Sequence, residues 1–140
     1  MHILTGLEHQ QFNLIHHWLS MESYWSQGIC KNRLYKAMQH SMCFGVFENG
    51  QQIGFCRVVT DKATFANLLD VYIDTAHRGK GHGKALMNAV MQHPELQGLR
   101  RFTLATKDAH SLYQGYGFDS PDHPESLMEK RLKQGYASPA

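Results

Sequence analysis

The chain is poor in cysteine and proline and contains no apolar run of membrane-spanning length. Its three cysteines, Cys30, Cys43 and Cys56, are an odd number without a CxxC pair, which argues against a disulfide framework and against a zinc site. The first residues lack the apolar core of a signal peptide, so we expect a cytoplasmic protein. The cysteines are therefore expected to be reduced thiols in the core.

The charge and the histidine pattern argue against proteins that bind nucleic acids, membranes or metals. The formal net charge is only +2, and no cluster of Lys and Arg is interleaved with aromatic residues, so neither nucleic acid nor a membrane is an expected partner. Ten histidines are present, but none has an HExxH or other paired-ligand spacing, so no metal is expected. A length of 140 residues suits one domain, which we place at 1–136, with 137–140 as a loose tail.

Hydrophobic periodicity predicts an α+β fold. Asn49-Gly50 is a strong hairpin signal between the second and third predicted strands. The order of the later elements predicts a parallel crossover unit, in which a helix links two parallel strands. We therefore expect a mixed, mostly antiparallel sheet with helices on both faces, which is a three-layer arrangement. The predicted strands are 2–4, 42–47, 53–59, 64–73, 101–106 and 127–131, and the predicted helices are one with its apolar side at 14, 15, 18 and 19, then 31–39, a helix ending near 93, and 109–115.

A glycine-rich segment between the fourth strand and the third helix is the main functional signal. It reads Arg78-Gly79-Lys80-Gly81-His82-Gly83-Lys84-Ala85. Three glycines in five residues permit a sharp turn and a close approach of a ligand to the backbone. The following helix N-terminus adds unpaired N–H groups and a partial positive charge, and the segment itself adds three cationic side chains. The pattern predicts a phosphate or pyrophosphate site.

The spacing excludes the two best-known phosphate motifs. A P-loop has four residues between its first glycine and Gly-Lys and then Ser or Thr, whereas Gly79 and Gly83 enclose three residues and Lys84 precedes Ala85. The GxGxxG dinucleotide fingerprint is absent as well, because the segment gives GxGxG. Neither ATP nor NAD is therefore the expected ligand.

The remaining pattern, RxxGxG at Arg78, Gly81 and Gly83 after an apolar strand, resembles motif A of the GNAT superfamily of N-acetyltransferases. A second segment, 112–118 (LYQGYGF), resembles the LYxxxGF segment of the same family, in the same order and at a similar separation. The broad resemblance covers about residues 42–131. It implies a GNAT-like fold, acetyl-CoA as cosubstrate, and direct acetyl transfer to an amine without an acyl-enzyme.

The resemblance also implies a cofactor site. Main-chain groups near the end of the fourth strand should pair with the pantetheine arm, and the glycine segment should hold the pyrophosphate. Asp108 replaces the family's usual Asn, and we interpret it first as an N-cap of the helix near 109. The residues assigned to acetyl-CoA are Val71, Tyr72, Ile73, Arg78, Gly79, Lys80, Gly81, His82, Gly83, Lys84, Asp108 and Tyr113.

Two residues are candidates for catalysis. Asp70 interrupts the apolar strand on the face that it should share with Leu68 and Tyr72, and it is either the base that deprotonates the amine or the ion-pair partner of Arg57. Asn67 stands where some relatives carry a catalytic Glu and cannot act as a base. Tyr113 occupies the position of the family's general acid, and the alternative is that it is a packing residue.

The acceptor site should come from the poorly matched N-terminal part. Tyr24, Trp25, Asp61 and Asp70 are the candidates for an aromatic and acidic pocket for a cationic amine, although the two aromatics could instead cover the core. The amine's identity stays open, and a homodimer is compatible with the sequence. Two functions remain: an N-acetyltransferase for a primary amine of a small molecule or peptide, or a non-catalytic acyl-CoA-binding or sensing domain.

Overall fold

The computed structural model describes residues 1–137, so the predicted tail at 137–140 lies outside the described residues except for Ala137. The described part contains a mixed sheet flanked by short helices. Its strands are β1 (His2–Thr5), β2 (Met42–Glu48), β3 (Gln51–Thr60), β4 (Phe65–Ile73) and β5 (Arg101–Thr103). Its α-helices are α1 (Phe12–His17), continued by a π-helical turn at Trp18–Glu22, α2 (Lys31–Gln39), α3 (His82–Gln92) and α4 (His110–Gln114).

The sheet has the order β1-β2-β3-β4-β5. The first four strands pair as an antiparallel meander, and β5 pairs in parallel with β4 after the crossover through α3. Asn49 and Gly50 both have positive φ, 50° and 78°, as the predicted tight hairpin requires. The predicted α+β topology is confirmed.

Two apolar cores lie on opposite faces of the sheet. On one face, α3 buries Leu86 and Val90 against strand residues such as Phe44. On the other, α1 and α2 bury Ile15 and Leu34 with strand residues such as Phe55. The predicted three-layer arrangement is therefore confirmed.

Two predicted strands differ from the observed structure. The fifth strand was expected over 101–106, but β5 pairs with β4 only at Phe65–Asn67 against Arg101–Thr103, and the two chains separate beyond that point. The predicted strand at 127–131 is wrong, because these residues are exposed and pair with no strand within residues 1–137. The sequence pattern favours extended backbone there, but this part of the molecule offers the segment no neighbour.

A β-bulge at Asp70 changes which residues of β4 share a face. Asp70 has a φ of +57°, and the β3 register shifts there, so that Asp70 and Val71 together oppose Cys56. Leu68 therefore packs on the α3 side, whereas Tyr72 packs on the α1 and α2 side. Asp70 shares its face with Tyr72 but not, as predicted, with Leu68.

Candidate active site

The glycine segment forms the turn that leads from β4 into α3. Gly79 and Gly81 have φ values of 76° and 84°, in the left-handed region that favours glycine, and Gly81 is the N-cap of α3. A Cβ added at Gly79, Gly81 or Gly83 would meet no atom within 4 Å, so the turn faces open space. The first N–H groups of an α-helix have no intrahelical partner, so α3 presents free donors at this turn.

The turn is strongly basic. Arg78, Lys80 and Lys84 are exposed, and within residues 1–137 none of the three forms a salt bridge. Their charges therefore add to the partial positive charge of the helix N-terminus. An anion at this turn would meet backbone donors and cationic side chains together.

Arg78 folds back onto the end of β4. Its Nε donates to the Ile73 carbonyl oxygen at 2.8 Å, and its guanidinium carbon lies 5.1 Å from the centroid of the Tyr72 ring. The side chain thus occupies a main-chain acceptor in the stretch that the sequence assigned to the pantetheine arm. A ligand that approaches this carbonyl from the side of Arg78 must displace the guanidinium.

His82 lies deeper than the sequence indicated. The sequence placed His82 within the glycine turn, whereas His82 is the first residue of α3 and its side chain is buried. Its Nε2 lies 3.5 Å from a carboxylate oxygen of Glu48. The buried imidazole therefore packs beneath the turn, beside Glu48. No local sequence pattern predicts this position.

The separation of β4 from β5 creates a gap beside the bulge. The last contact between the strands is reinforced by Thr103, whose Oγ1 donates to Oδ1 of Asn67 at 2.8 Å. Beyond it, β4 has no partner strand on its β5 side within the described chain. Mid-strand backbone groups on that side are available to an extended ligand, in the manner of an added strand.

Asp70 sits at the centre of a buried hydrogen-bond network on the face of the sheet that α1 and α2 cover. Its Oδ2 accepts from Arg57 Nε at 2.6 Å, and its Oδ1 accepts from Trp25 Nε1 at 2.9 Å and from Ser26 Oγ at 3.2 Å. The side chains of Asp70 and Arg57 are only 4% and 16% exposed. The predicted ion pair is present, and the carboxylate also fastens the 23–28 loop to the bulge.

Tyr113 of α4 lies near the same gap. It is buried, and the pKa of its hydroxyl is raised by burial first, and then by the neighbouring Cys56, Asp108 and Tyr24. No hydrogen bond within residues 1–137 involves its hydroxyl, and no fully buried side-chain oxygen there lacks a partner, so the hydroxyl reaches solvent and is available as a donor. The neighbouring Tyr116 instead donates to the Lys84 carbonyl at 3.1 Å and ties α4 to α3.

The predicted aromatic pair lies beside this tyrosine. Tyr24 and Trp25 are 61% and 40% exposed and pack edge to face at 5.0 Å, so they do not simply cover the core. Lys107, which follows β5, places its Nζ 5.2 Å from the Tyr24 ring centroid. This cation–π contact spans the gap, and Lys107 carried no signal in the sequence because an exposed lysine after a strand is ordinary.

Two acidic residues do not behave as predicted. Asp108 caps no helix, because the N-cap of α4 is Ala109, whose N–H donates to Thr106 Oγ1. Asp61 closes the β3–β4 turn, where its carboxylate accepts from the Thr64 hydroxyl and from the backbone N–H groups of Ala63, Thr64 and Phe65. These hydrogen bonds, that of the Thr64 hydroxyl first, lower the pKa of Asp61. Asp61 lies beyond the far end of β4, roughly 16 Å of strand from Asp70. The structure does not bring Asp61 to the site.

Comparison with known proteins identifies the family. Residues 12–118 match the model of the Acetyltransferase (GNAT) family, and the chain belongs to that family. A solved GNAT-family acetyltransferase of Xanthomonas campestris pv. campestris is 47% identical, with a TM-score of 0.93 and an alignment that covers 99% of each chain.

Two curated relatives agree. A protein of Gibberella zeae named as an acetyltransferase is 31% identical over 111 residues, which are 64% of this chain and 62% of that protein. This chain therefore spans less than two-thirds of that relative's length. The [ribosomal protein bS18]-alanine N-acetyltransferase of Haemophilus influenzae is 30% identical over 111 residues, which are 76% of this chain and 72% of that enzyme.

Other kinds of site have no support in the described residues. No group of three or more His, Cys, Asp or Glu side chains there could hold a metal ion. In the same part of the chain, no helix is both long and apolar enough to cross a membrane.

Proposed function

We propose that this acetyltransferase is an acetyl-CoA-dependent N-acetyltransferase that acts on a primary amine of a small molecule or peptide, in the cytoplasm. The observation that carries the proposal is the unpaired side of β4 beyond Asn67, which leads along the strand into the basic glycine turn. We propose that this edge and the Tyr113 hydroxyl form one path for the cofactor. That path presents donors for phosphates at one end, backbone groups for amides in the middle and a proton donor at the other end.

The residues present fit the cofactor. The left-handed conformations of Gly79 and Gly81 and the open space over Gly83 suit a pyrophosphate held by N–H groups from Gly79 to Lys84. Lys80, which forms no salt bridge within residues 1–137, is proposed to reach the adenosine phosphate, and Arg78 would join it after leaving the Ile73 carbonyl. Residues 71–73 would hold the pantetheine arm through the main chain, once Arg78 releases the Ile73 carbonyl. When bound, the cofactor supplies an acetyl thioester.

Tyr113 is proposed to donate a proton to the departing thiolate. Its raised pKa keeps the phenol protonated throughout the neutral range. Since a thiol has a pKa of about 8.5, the tyrosine acts as a hydrogen-bond donor that stabilises the leaving sulfur rather than as a strong acid. In the balanced reaction the amine nitrogen bonds to the acetyl carbon, the carbon–sulfur bond breaks, and the nitrogen loses one proton to water. The departing sulfur gains one proton through Tyr113, and the tyrosine regains its own from solvent, so the products are the amide and the free CoA thiol.

Asp70 is a poor candidate for the group that receives that proton. Both of its oxygens already accept hydrogen bonds, and the Arg57 guanidinium lies against one of them. An ammonium with a pKa of about 10.4 is only about one part in 2,500 neutral at pH 7, a cost of roughly 4–5 kcal/mol. We propose that water carries the proton away and that Asp70 is a positioning residue, which holds Trp25 and therefore the 23–28 loop beside the gap.

The buried cysteines support direct transfer of the acetyl group to the amine, without an acyl-enzyme. Cys56, the cysteine that influences Tyr113, is fully buried, and burial raises its pKa well above the ordinary value. Cys43 is also buried, and burial raises its pKa to about 12. Neither is a nucleophilic thiolate near neutral pH. An acyl-cysteine intermediate at these positions has no chemical support.

The acceptor is proposed to lie against Tyr24 and Trp25. Their exposed rings offer faces for a cationic or apolar amine, and Asp70 supplies no free charge because Arg57 neutralises it. The bacterial alanine N-acetyltransferase named above acts on an α-amine of a protein, so peptides with a free N-terminus belong in the acceptor panel beside polyamines and amino sugars.

The competing function is a non-catalytic acyl-CoA-binding or sensing domain. The two are separated by measuring release of the CoA thiol from acetyl-CoA with a panel of amines. We expect at least one amine to accelerate release, and Tyr113→Phe to lower kcat by about 10²-fold or more. Tyr35→Phe, on the exposed face of α2, is the matched control and should leave the rate unchanged. Tight CoA binding without amine-dependent release would favour the sensing domain.

A further inference from the structure

Lys107 places a positive charge inside the proposed acceptor site. It follows β5 and is exposed, yet its Nζ lies 5.2 Å from the centroid of the Tyr24 ring, within the range of a cation–π contact. Tyr24 packs edge to face on Trp25, and Trp25 donates to Asp70 on β4. A chain of contacts from β4 therefore holds the ammonium over the gap, on the side that we assign to the acceptor.

The ammonium of Lys107 still has hydrogen-bond donors to offer. It carries three N–H groups, and the Tyr24 ring faces only one side of it. Within residues 1–137 Lys107 forms no salt bridge, not even with Asp108, which follows it in the chain. Nζ is thus positioned by an aromatic ring and is not paired with a carboxylate, which leaves it able to bind an anionic group.

The carboxylates beside the acceptor loop already have other partners. Asp70 is neutralised by Arg57, and Glu22, which precedes the loop, accepts from the Tyr72 hydroxyl at 3.1 Å. Because like charges repel, an acceptor with several cationic groups and no anion would meet Lys107 unfavourably. An anionic group would instead gain a charge-assisted hydrogen bond.

The charge of Lys107 lies close to the reacting groups. Tyr24 is among the residues that raise the pKa of the Tyr113 hydroxyl, so the ring that seats Nζ is a neighbour of the proposed proton donor. An anion bound by Lys107 would therefore share the pocket with the amine that attacks the thioester. The amine and the anion must then belong to one small acceptor or to one end of a peptide.

We infer that the acceptor is an amine that also carries a carboxylate or a phosphate group, and that Lys107 binds this anionic group. Lys107 is then the residue that selects such acceptors over polyamines. The inference rests on the proposed function, because it names the class of amine that the same site takes. A cation that binds an anion of the acceptor acts before and during the reaction alike, so we expect its loss to change KM more than kcat.

Matched acceptors test this preference through release of the CoA thiol. One pair is a dipeptide with a free C-terminal carboxylate and its C-terminal amide, and the other is an aminoalkyl phosphate and the corresponding amino alcohol. In Lys107→Met we expect kcat/KM for the anionic member to fall at least about tenfold, mainly through KM, as for the loss of a charge-assisted hydrogen bond. The neutral member should change by less than about twofold. The pair that shows the effect distinguishes a carboxylate from a phosphate.

Three further variants control the comparison. Lys107→Arg keeps the charge and should keep the preference. Tyr24→Leu removes the ring that seats Nζ and should lose the same preference, and its combination with Lys107→Met should lose little more, because the two residues act as a unit. Lys36→Met, at an exposed lysine of α2 that forms no salt bridge within residues 1–137, should leave the rates with all four acceptors unchanged.

Several results would overturn the inference. Equal losses with anionic and neutral acceptors in Lys107→Met would show that Lys107 does not bind the anion. Weaker CoA binding by that variant, measured by calorimetry, would make Lys107 a ligand of the cofactor. A wild-type preference for polyamines would contradict the inference directly. In these three cases the proposed function stands, whereas a wild-type protein that acetylates no amine at all would defeat the proposed function and this inference together.

Discussion

Arg57 on β3 and Asp70 on β4 form a buried ion pair, with 2.6 Å between Nε and Oδ2, and the same carboxylate also accepts from Trp25. Asp70→Ala would leave the guanidinium buried without its partner and would release the tryptophan. We expect a loss of about 3–5 kcal/mol in the free energy of unfolding, measured by urea denaturation. Asp108→Asn, at an exposed carboxylate, is the control and should change stability by less than about 0.5 kcal/mol.

The same pair distinguishes positioning from base catalysis. Asp70→Asn keeps an oxygen that can accept from Trp25 but removes the charge and any basicity. If Asp70 positions the acceptor loop, we expect KM for the amine to rise while the pH profile of kcat keeps its shape. Loss of kcat together with loss of an acidic limb in that profile, in a variant of unchanged KM, would make Asp70 the base.

Substitutions at Gly81 and Gly83 test two different requirements: the left-handed backbone of the turn, and the close approach of a ligand to it. Gly81→Ala forces a left-handed φ on a residue with a Cβ, so we expect a loss of about 1–2 kcal/mol in stability and a rearranged turn that binds CoA more weakly. Gly83→Ala lies in helical backbone with open space around it, and we expect unchanged or higher thermal stability.

Calorimetry measures how the same two substitutions change the affinity for CoA. If Gly83 lies against the pyrophosphate, Gly83→Ala should weaken CoA binding in a protein that is as stable as the wild type. Wild-type affinity in both alanine variants would show that the ligand does not use this turn.

We expect Arg78→Ala to have opposite effects on the binding of CoA and on the binding of a pantetheine fragment. In Arg78→Ala the Ile73 carbonyl is free and one cation is lost. We expect CoA affinity to fall about tenfold, as for the loss of a charge-assisted hydrogen bond, while a pantetheine fragment without phosphates binds at least as well as before. Lys80→Ala should weaken CoA binding and leave the fragment unaffected. Equal weakening of both ligands in Arg78→Ala would contradict this role.

Local patterns predicted most of the architecture. The apolar runs of β2 and β3 and the Asn49-Gly50 turn between them predicted a hairpin of neighbouring strands, as observed. The glycine turn was equally visible, because left-handed backbone at Gly79 and Gly81 requires that residue type. Local information was sufficient wherever neighbours in the chain supply the interaction.

Features that depend on distant residues were not predictable. The bulge at Asp70 exists because the carboxylate must reach Arg57, Trp25 and Ser26, two of which are more than 40 residues away in the chain. Simple alternation therefore placed Leu68 on the wrong face. Lys107 meets Tyr24 across the gap, and no spacing along the sequence reveals such a contact. Residues 127–131 show the reverse case, a strand pattern without a partner in the same body.

The buried thiols predict how stability depends on pH. Burial raises the pKa of Cys43 to about 12 and that of Cys56 well above its ordinary value, whereas an unfolded thiol ionises near pH 8.5. Below that pH both states hold the proton and the thiols add no pH dependence. Above it the unfolded chain releases protons that the folded chain retains, so the free energy of unfolding falls as pH rises, by up to about 1.4 kcal/mol per unit for each thiol.

Cysteine substitutions check this dependence. Between pH 8.5 and 10.5, Cys43→Ala should show a shallower fall in urea-denaturation stability than the wild type. Cys30→Ala, which changes an exposed thiol, should keep the wild-type slope. A thiol-reactive reagent should modify Cys30 rapidly in the folded protein and reach Cys43 and Cys56 only in denaturant. Rapid labelling of all three thiols under native conditions would mean that the core opens far more readily than its packing implies, and the predicted slope would then disappear.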